Sequence, residues 1–244
     1  MNNHQILELI VYSSSIVLTA WIGGIIPLFF KENQRILHWF ISLGAGVLLG
    51  ASFLHMIPEA AEMIGSELGI FVLAGFLLLF ILEKFIMTHP CPSEHCEYHH
   101  VGLAAFWGLS LHSLVTGIAL GTGIMVPKLG LVVFLAIILH KLPASLSLTS
   151  LFLKEHYSNK KLFVYLTAFS LMVPLGALIT YLFLQQTSVR AIGALTAFSA
   201  GTFLHVASDD LLPEVHQHSH DRYSRLISFF IGLLSIWLVT FLEG

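Results

Sequence analysis

Two histidines, His112 and His140, fall near the middle of long apolar segments. Ionisable groups at membrane depth are expensive and are functional candidates by default. A neutral imidazole there can ligate zinc, and equally iron(II), copper or nickel. Two more histidines stand one helical turn before a carboxylate, His55 before Glu59 and His205 before Asp209, with Asp210 next in line. Residues four apart share a helix face, so each pair can hold one cation. Pro143 follows His140 by three residues and cannot bond back to the carbonyl of Leu139; Pro58 and Pro213 similarly free the carbonyls of Leu54 and Asp209. Freed carbonyls at such depth are tolerated where they face a polar cavity or other protein, and at the segment ends Pro58 and Pro213 serve equally to end or kink their helices.

Two hydrophilic stretches carry more ligand chemistry. The thirteen residues from Thr88 to His100 hold four histidines and two cysteines, with Cys91, His95, Cys96, His99 and His100 as metal candidates. A second stretch offers His216, His218 and His220. Imidazole, thiolate and carboxylate together suit zinc and its neighbours, but the spacing matches no common zinc finger. Two cysteines are too few for a disulfide framework.

The elements that must position these groups are helices in a bilayer. The chain is 56% hydrophobic and 10% charged, with a mean hydropathy of +0.85, whereas a soluble domain carries about 25% charged residues. The apolar residues form eight blocks, roughly 6–30, 36–60, 68–88, 101–125, 128–153, 162–184, 189–212 and 224–242. Each has about 19–26 residues, enough to cross ~30 Å of hydrocarbon at ~1.5 Å per residue. The expected class is therefore all-α, a polytopic membrane protein with residues 1–244 as one transmembrane domain. The segment before the first block has no Lys or Arg, unlike a cleavable signal peptide, so the first block is read as a retained helix.

Basic residues orient the bundle. With the N-terminus outside, the inner loops and helix ends hold Lys31, Arg35, Lys84, Lys154, Lys160, Lys161, Arg222 and Arg225, against Lys128 and Arg190 outside. Both termini are expected outside or in the periplasm, in a plasma (inner) membrane. No basic stripe points to nucleic acid, and no Walker sequence points to ATP. Spans 2 and 7 share a small residue, a hydroxyl, Phe-Leu-His and then Pro-Glu, at 51–59 and 201–214. In this topology they run in opposite directions, the mark of an inverted repeat matching spans 1–3 to 6–8. His55 and Glu59 then lie toward the outside, His112 and His140 at the middle, and His205, Asp209, Asp210 and Glu214 toward the inside. They mark out a polar track across the membrane. A site of neutral imidazoles should weaken at acid pH as protons compete.

These features resemble the ZIP (Zrt/Irt-like) divalent-metal transporters over nearly the whole chain. The residues that carry the likeness are the His-rich loop after span 3, the His112-x-x-x-x-Gly117 of span 4, the His140-x-x-Pro143 of span 5, and the His55-x-x-Pro-Glu-Ala and Leu-Pro-Glu endings of spans 2 and 7. The resemblance implies a 3+2+3 inverted-repeat bundle, a homodimer, metal held between spans 4 and 5, and import toward the cytoplasm. Zinc is the usual substrate of the family, with iron, manganese or cadmium in some members, and no prosthetic group is implied. It also exposes departures. Ser113 and Thr116 stand where the family usually has an acid or amide and an acid, and Lys141 and Ala144 replace a bridging acid and a ligand. His112 and His140 remain, with Ser113 a weak third ligand.

Lys141 admits two readings. An ammonium at the membrane centre costs about 2.5–3.5 kcal/mol unless paired, and it repels a divalent cation beside it. Either it supplies the positive charge of a second metal and leaves a mononuclear site, helped by His55, Glu59, His205 or Asp209, or it pairs with Asp209, Asp210 or Glu59 and locks the path. The second reading makes the chain a transport-incompetent sensor or regulator. An intramembrane hydrolase lacks its His-Glu-x-x-His pair and any water-activating acid beside His112 or His140.

Overall fold

The computed structural model describes residues 3–83, 101–124, 129–183, 188–216 and 222–243, and among them there is no strand. Ten α-helices follow one another: α1 (Asn3–Ile25), α2 (Gln34–Gly50), α3 (Ile57–Ile64), α4 (Leu68–Ile81), α5 (Val101–Ile124), α6 (Leu129–Lys154), α7 (Asn159–Phe183), α8 (Val189–His205), α9 (Leu212–His216) and α10 (Arg222–Glu243). Asn33 caps α2 by accepting from the Ile36 N–H, and Ser188 caps α8 by accepting from the Ala191 N–H. Each satisfies a donor that the first helical turn leaves open.

Among the described residues, six segments are long and apolar enough to cross a membrane: Asn3–Phe30, Gln34–Ile81, Gly102–Ile124, Val133–Lys154, Asn159–Phe183 and Val189–Asp209. The second has 48 residues, about 70 Å at ~1.5 Å per residue, and it does not run straight. It reverses at Gly65, which closes α3 at φ +56°, a left-handed conformation that glycine adopts without strain. The fold is an all-α polytopic membrane bundle.

Pro58 and Pro213 do not end their helices. Helical structure runs from Gln34 to Ile64 and from Val189 to His216, through a π-turn at Ala51–Met56 and another at Val206–Leu211. In each, the residue just before the proline donates five residues back, Ile57 N–H to Ser52 and Leu212 N–H to Ala207. The widened turn absorbs the bond that proline cannot make. Relative to the prolines the two π-turns occupy the same positions, so the repeat is registered on Pro-Glu. His55 lies inside its π-turn, whereas His205 lies just before the second.

Four helix pairs run side by side in parallel. Ser228 donates to the Trp39 carbonyl and Gly50 meets Ile236, which sets α10 along α2. Glu67 pairs with Arg190 at one end and Glu83 with His205 at the other, which sets α4 along α8. Tyr12 stacks on Phe134 and Gly23 meets Ser145, joining α1 to α6; Leu114 meets Gly176 and Gly121 meets Thr180, joining α5 to α7. Exchanging spans 1–3 with 6–8 and span 4 with span 5 converts the first pair into the second and the third into the fourth. At the crossings a Cβ on Gly46 would overlap the Phe229 carbonyl, and one on Gly201 the Val72 carbonyl. Small residues there let backbones touch, the usual way helices associate in lipid.

Candidate metal centre

α5 and α6 cross so that consecutive residues face consecutive residues. His112 Nε2 lies 3.4 Å from His140 Nε2, and Lys141 Nζ lies 2.8 Å from Ser113 Oγ. Neighbours on a helix are turned by about 100°, so His140 and Lys141 point to different surroundings. His112 is buried and His140 half-buried. Two nitrogens at ~2.0–2.1 Å from one tetrahedral ion stand about 3.3–3.4 Å apart, whereas a hydrogen bond to nitrogen is usually nearer 2.9–3.0 Å. The observed separation suits a shared cation.

α8 completes the pocket around His112. Ser199 Oγ lies 2.9 Å from His112 Nδ1, and the Phe203 ring packs on the imidazole at 4.1 Å between centroids. For Nε2 to act as a ligand, Nδ1 must carry the proton and donate it to Ser199. His55 lies within electrostatic reach of His112. Nothing in the sequence reading singled out Ser199. A serine in an Ala/Gly-rich helix is indistinguishable from a packing residue until the helix opposite it is known.

Lys141 is 2% exposed. Its Nζ donates to Ser113 Oγ and, at 3.3 Å, to the Phe169 carbonyl, and sits 3.5 Å from the centroid of the Phe169 ring. A ring face attracts a cation. Neither Asp209 nor Glu59 is among its partners; among the described side chains it is held by Ser113 on α5 and Phe169 on α7. Ser113 is correspondingly occupied as the acceptor of Lys141. Thr116 bonds back to the His112 carbonyl, and Ala144 is buried among apolar neighbours.

The outlying candidates separate into two places. His55 Nε2 and Glu59 Oε2 are 3.8 Å apart and partly exposed. His205 is fully buried and meets a residue the sequence reading passed over, Glu83, with Nε2 to Oε2 at 2.9 Å. Asp209 is exposed, and ligand atoms of Glu83, His205 and Asp209 lie within 4.8 Å of one another. A lone acid at the end of the apolar run 68–82 was the available signal for Glu83. Cys91, His95, Cys96, His99, His100, His218 and His220 lie outside the described residues, as do the side chains of Asp210, Glu214 and His216. Pro143 sits inside α6, one turn beyond Leu139.

Two imidazoles meet edge to face between α5 and α6, with Lys141 beside them where the resemblance expects an acid. A family model described as ZIP zinc transporter matches residues 7–102 and 88–242. The chain belongs to the ZIP zinc transporter family. Among its relatives, zinc transporter ZIP9-B of Xenopus laevis is 26% identical over 262 residues, covering 86% of each chain. Zinc transporter ZIP9 of Macaca fascicularis is 38% identical over 126 residues, covering 47% of this chain and 54% of its own. Zinc transporter 3 of Arabidopsis thaliana is 23% identical over 257 residues, covering 85% and 76%. Family membership and the membrane-long helices make this ZIP chain an integral membrane protein.

Proposed function

We propose that this chain carries zinc across a membrane toward the cytoplasm, through a mononuclear site centred on His112 and His140. The single observation that carries the reading is the 3.4 Å between their two Nε2 atoms at the crossing of α5 and α6. Membership of the ZIP zinc transporter family and relatives named zinc transporters give the same cargo. Eight crossings, both termini outside and a plasma or inner membrane complete the proposal, supported by the basic-residue bias and the four parallel helix pairs. Metal enters past His55 and Glu59, dwells between the two central histidines, and leaves past His205, Asp209 and Asp210. Iron(II) is a competing cargo, because imidazole suits it as it suits zinc, and the resemblance adds manganese and cadmium.

Lys141 fits this reading as a fixed charge set to one side. Its partners are a hydroxyl, a carbonyl and a ring face, so it closes off the Ser113 side of the crossing and leaves room for one cation. The locked, non-transporting alternative needs Lys141 bound to Asp209, Asp210 or Glu59, and among the described side chains its partners are Ser113 and Phe169.

The test is zinc flux into proteoliposomes holding the full chain, comparing wild type, His112→Ala and Lys141→Glu. Flux in wild type that disappears in His112→Ala is expected. No flux in wild type, with flux gained in Lys141→Glu, would instead make Lys141 a lock.

A further inference from the structure

We propose that Phe169 is a positioning residue for the central pair: it holds the Lys141 ammonium on the α7 side of the α5–α6 crossing, clear of the place between His112 and His140. Its part in the mechanism rests on reading that pair as the zinc site. What it adds is the device that keeps a resident cation out of that site.

Lys141 follows His140 on α6, and Ser113, which accepts from its Nζ, follows His112 on α5. The ammonium is thus anchored one helix position from each imidazole, and it lies within electrostatic reach of His112. An ammonium carries three N–H donors. Nζ meets Ser113 Oγ at 2.8 Å, the Phe169 carbonyl at 3.3 Å and the Phe169 ring face at 3.5 Å from its centroid, so one residue supplies two of its three contacts. A ring face attracts a cation most strongly where water is excluded, and here Phe169 is fully buried with Lys141. The ring is held in turn, in one buried cluster with Phe106 and Leu109 of α5 and Leu148 of α6. One turn further along both helices a Cβ on Gly117 would overlap the Val173 carbonyl. α5 and α7 therefore touch backbone to backbone beside the ammonium, which brings the Phe169 carbonyl within reach of a side chain from α6.

Without the ring, one side of a buried ammonium is bare, and an unpaired buried charge is costly. Neutral imidazole nitrogens are acceptors, and an ammonium drawn to them stands where zinc would bind. Moving a unit charge from about 6 to about 4 Å from a divalent ion weakens its binding about threefold even in water-like surroundings.

The test measures zinc affinity by chelator competition on the full-length protein in detergent, with zinc flux in proteoliposomes and melting temperatures alongside. The variants are Phe169→Leu and Phe169 replaced by trifluorophenylalanine, whose ring keeps its shape while fluorine drains the negative face that attracts a cation. Both should bind zinc at least about threefold more weakly than wild type. In the Lys141→Met background neither should change affinity by more than about twofold, because the effect passes through the ammonium. If Phe169→Leu fails to fold, the fluorinated protein decides alone. Wild-type affinity in the fluorinated protein would overturn the proposal. So would an equal loss in the Lys141→Met background, which would make Phe169 a packing residue only. Wild type that binds no zinc would overturn this and the site reading together. Absence of zinc flux in wild type, with the pattern of affinities intact, would sink the transport reading and leave Phe169 in its role.

Discussion

Ser199→Ala isolates what α8 contributes to the central pair. The hydroxyl is fully buried and lies 2.9 Å from His112 Nδ1. Removing it leaves the N–H of a buried imidazole without a partner, a loss of about 1–3 kcal/mol. It also frees the ring to put its proton on Nε2, the nitrogen that faces His140. Losing the group that orients a metal-bound histidine typically weakens metal binding about 10–100-fold, or about 1.4–2.7 kcal/mol at ~1.4 kcal/mol per tenfold. The two estimates overlap, so zinc uptake in proteoliposomes should show a KM raised about 10–100-fold. Ser199→Thr keeps the hydroxyl and should recover most of it. In the His112→Ala background, Ser199→Ala should change nothing further, because its effect passes through that ring. A KM within about twofold of wild type in Ser199→Ala would refute the reasoning, as would Ser199→Thr failing as badly as alanine.

Two other outcomes are expected. Lys141→Met removes a charge that opposes a divalent ion. A unit charge about 6 Å from such an ion is worth about 1.4 kcal/mol even in water-like surroundings, so zinc affinity by chelator competition should tighten about tenfold or more; unchanged affinity would show Nζ to be neutral at this site. At the turn between α6 and α7, burial first, then the carboxylate of Glu155 and the neighbouring Tyr165, push the Tyr157 phenol up to about 12 from its ordinary 10.0. The unfolded chain loses that proton near pH 10 and the folded one near pH 12, so this contribution to stability is present below pH 10 and is lost as pH rises toward 12. Melting temperatures across that window should fall less steeply in Tyr157→Phe, and an identical slope would contradict the assignment.

Helix positions were legible in the sequence because the bilayer imposes a length and a composition on each crossing. The blocks placed at 101–125, 128–153 and 162–184 coincide with α5, α6 and α7 within three residues. His112 and His140 could be selected for the same reason, as polar atoms at a depth where lipid offers no partner. What the sequence left open was the effect of Pro58 and Pro213. A missing N–H ends a helix in isolation, but a π-turn held by neighbouring helices carries the chain through.

Composition and spacing determined that this is a bundle of membrane helices with two histidines near the middle of its apolar segments, since those follow from what hydrocarbon tolerates. Which groups meet was decided only by tertiary structure. Ser199 reaches His112 across 87 residues, Glu83 reaches His205 across 122, and Lys141 turns to Ser113 and Phe169. Such contacts depend on the rotation of each helix about its axis and on how closely glycines such as Gly46 and Gly201 let the backbones approach. Those quantities arise from packing among all the helices at once, and no segment of the sequence carries them alone.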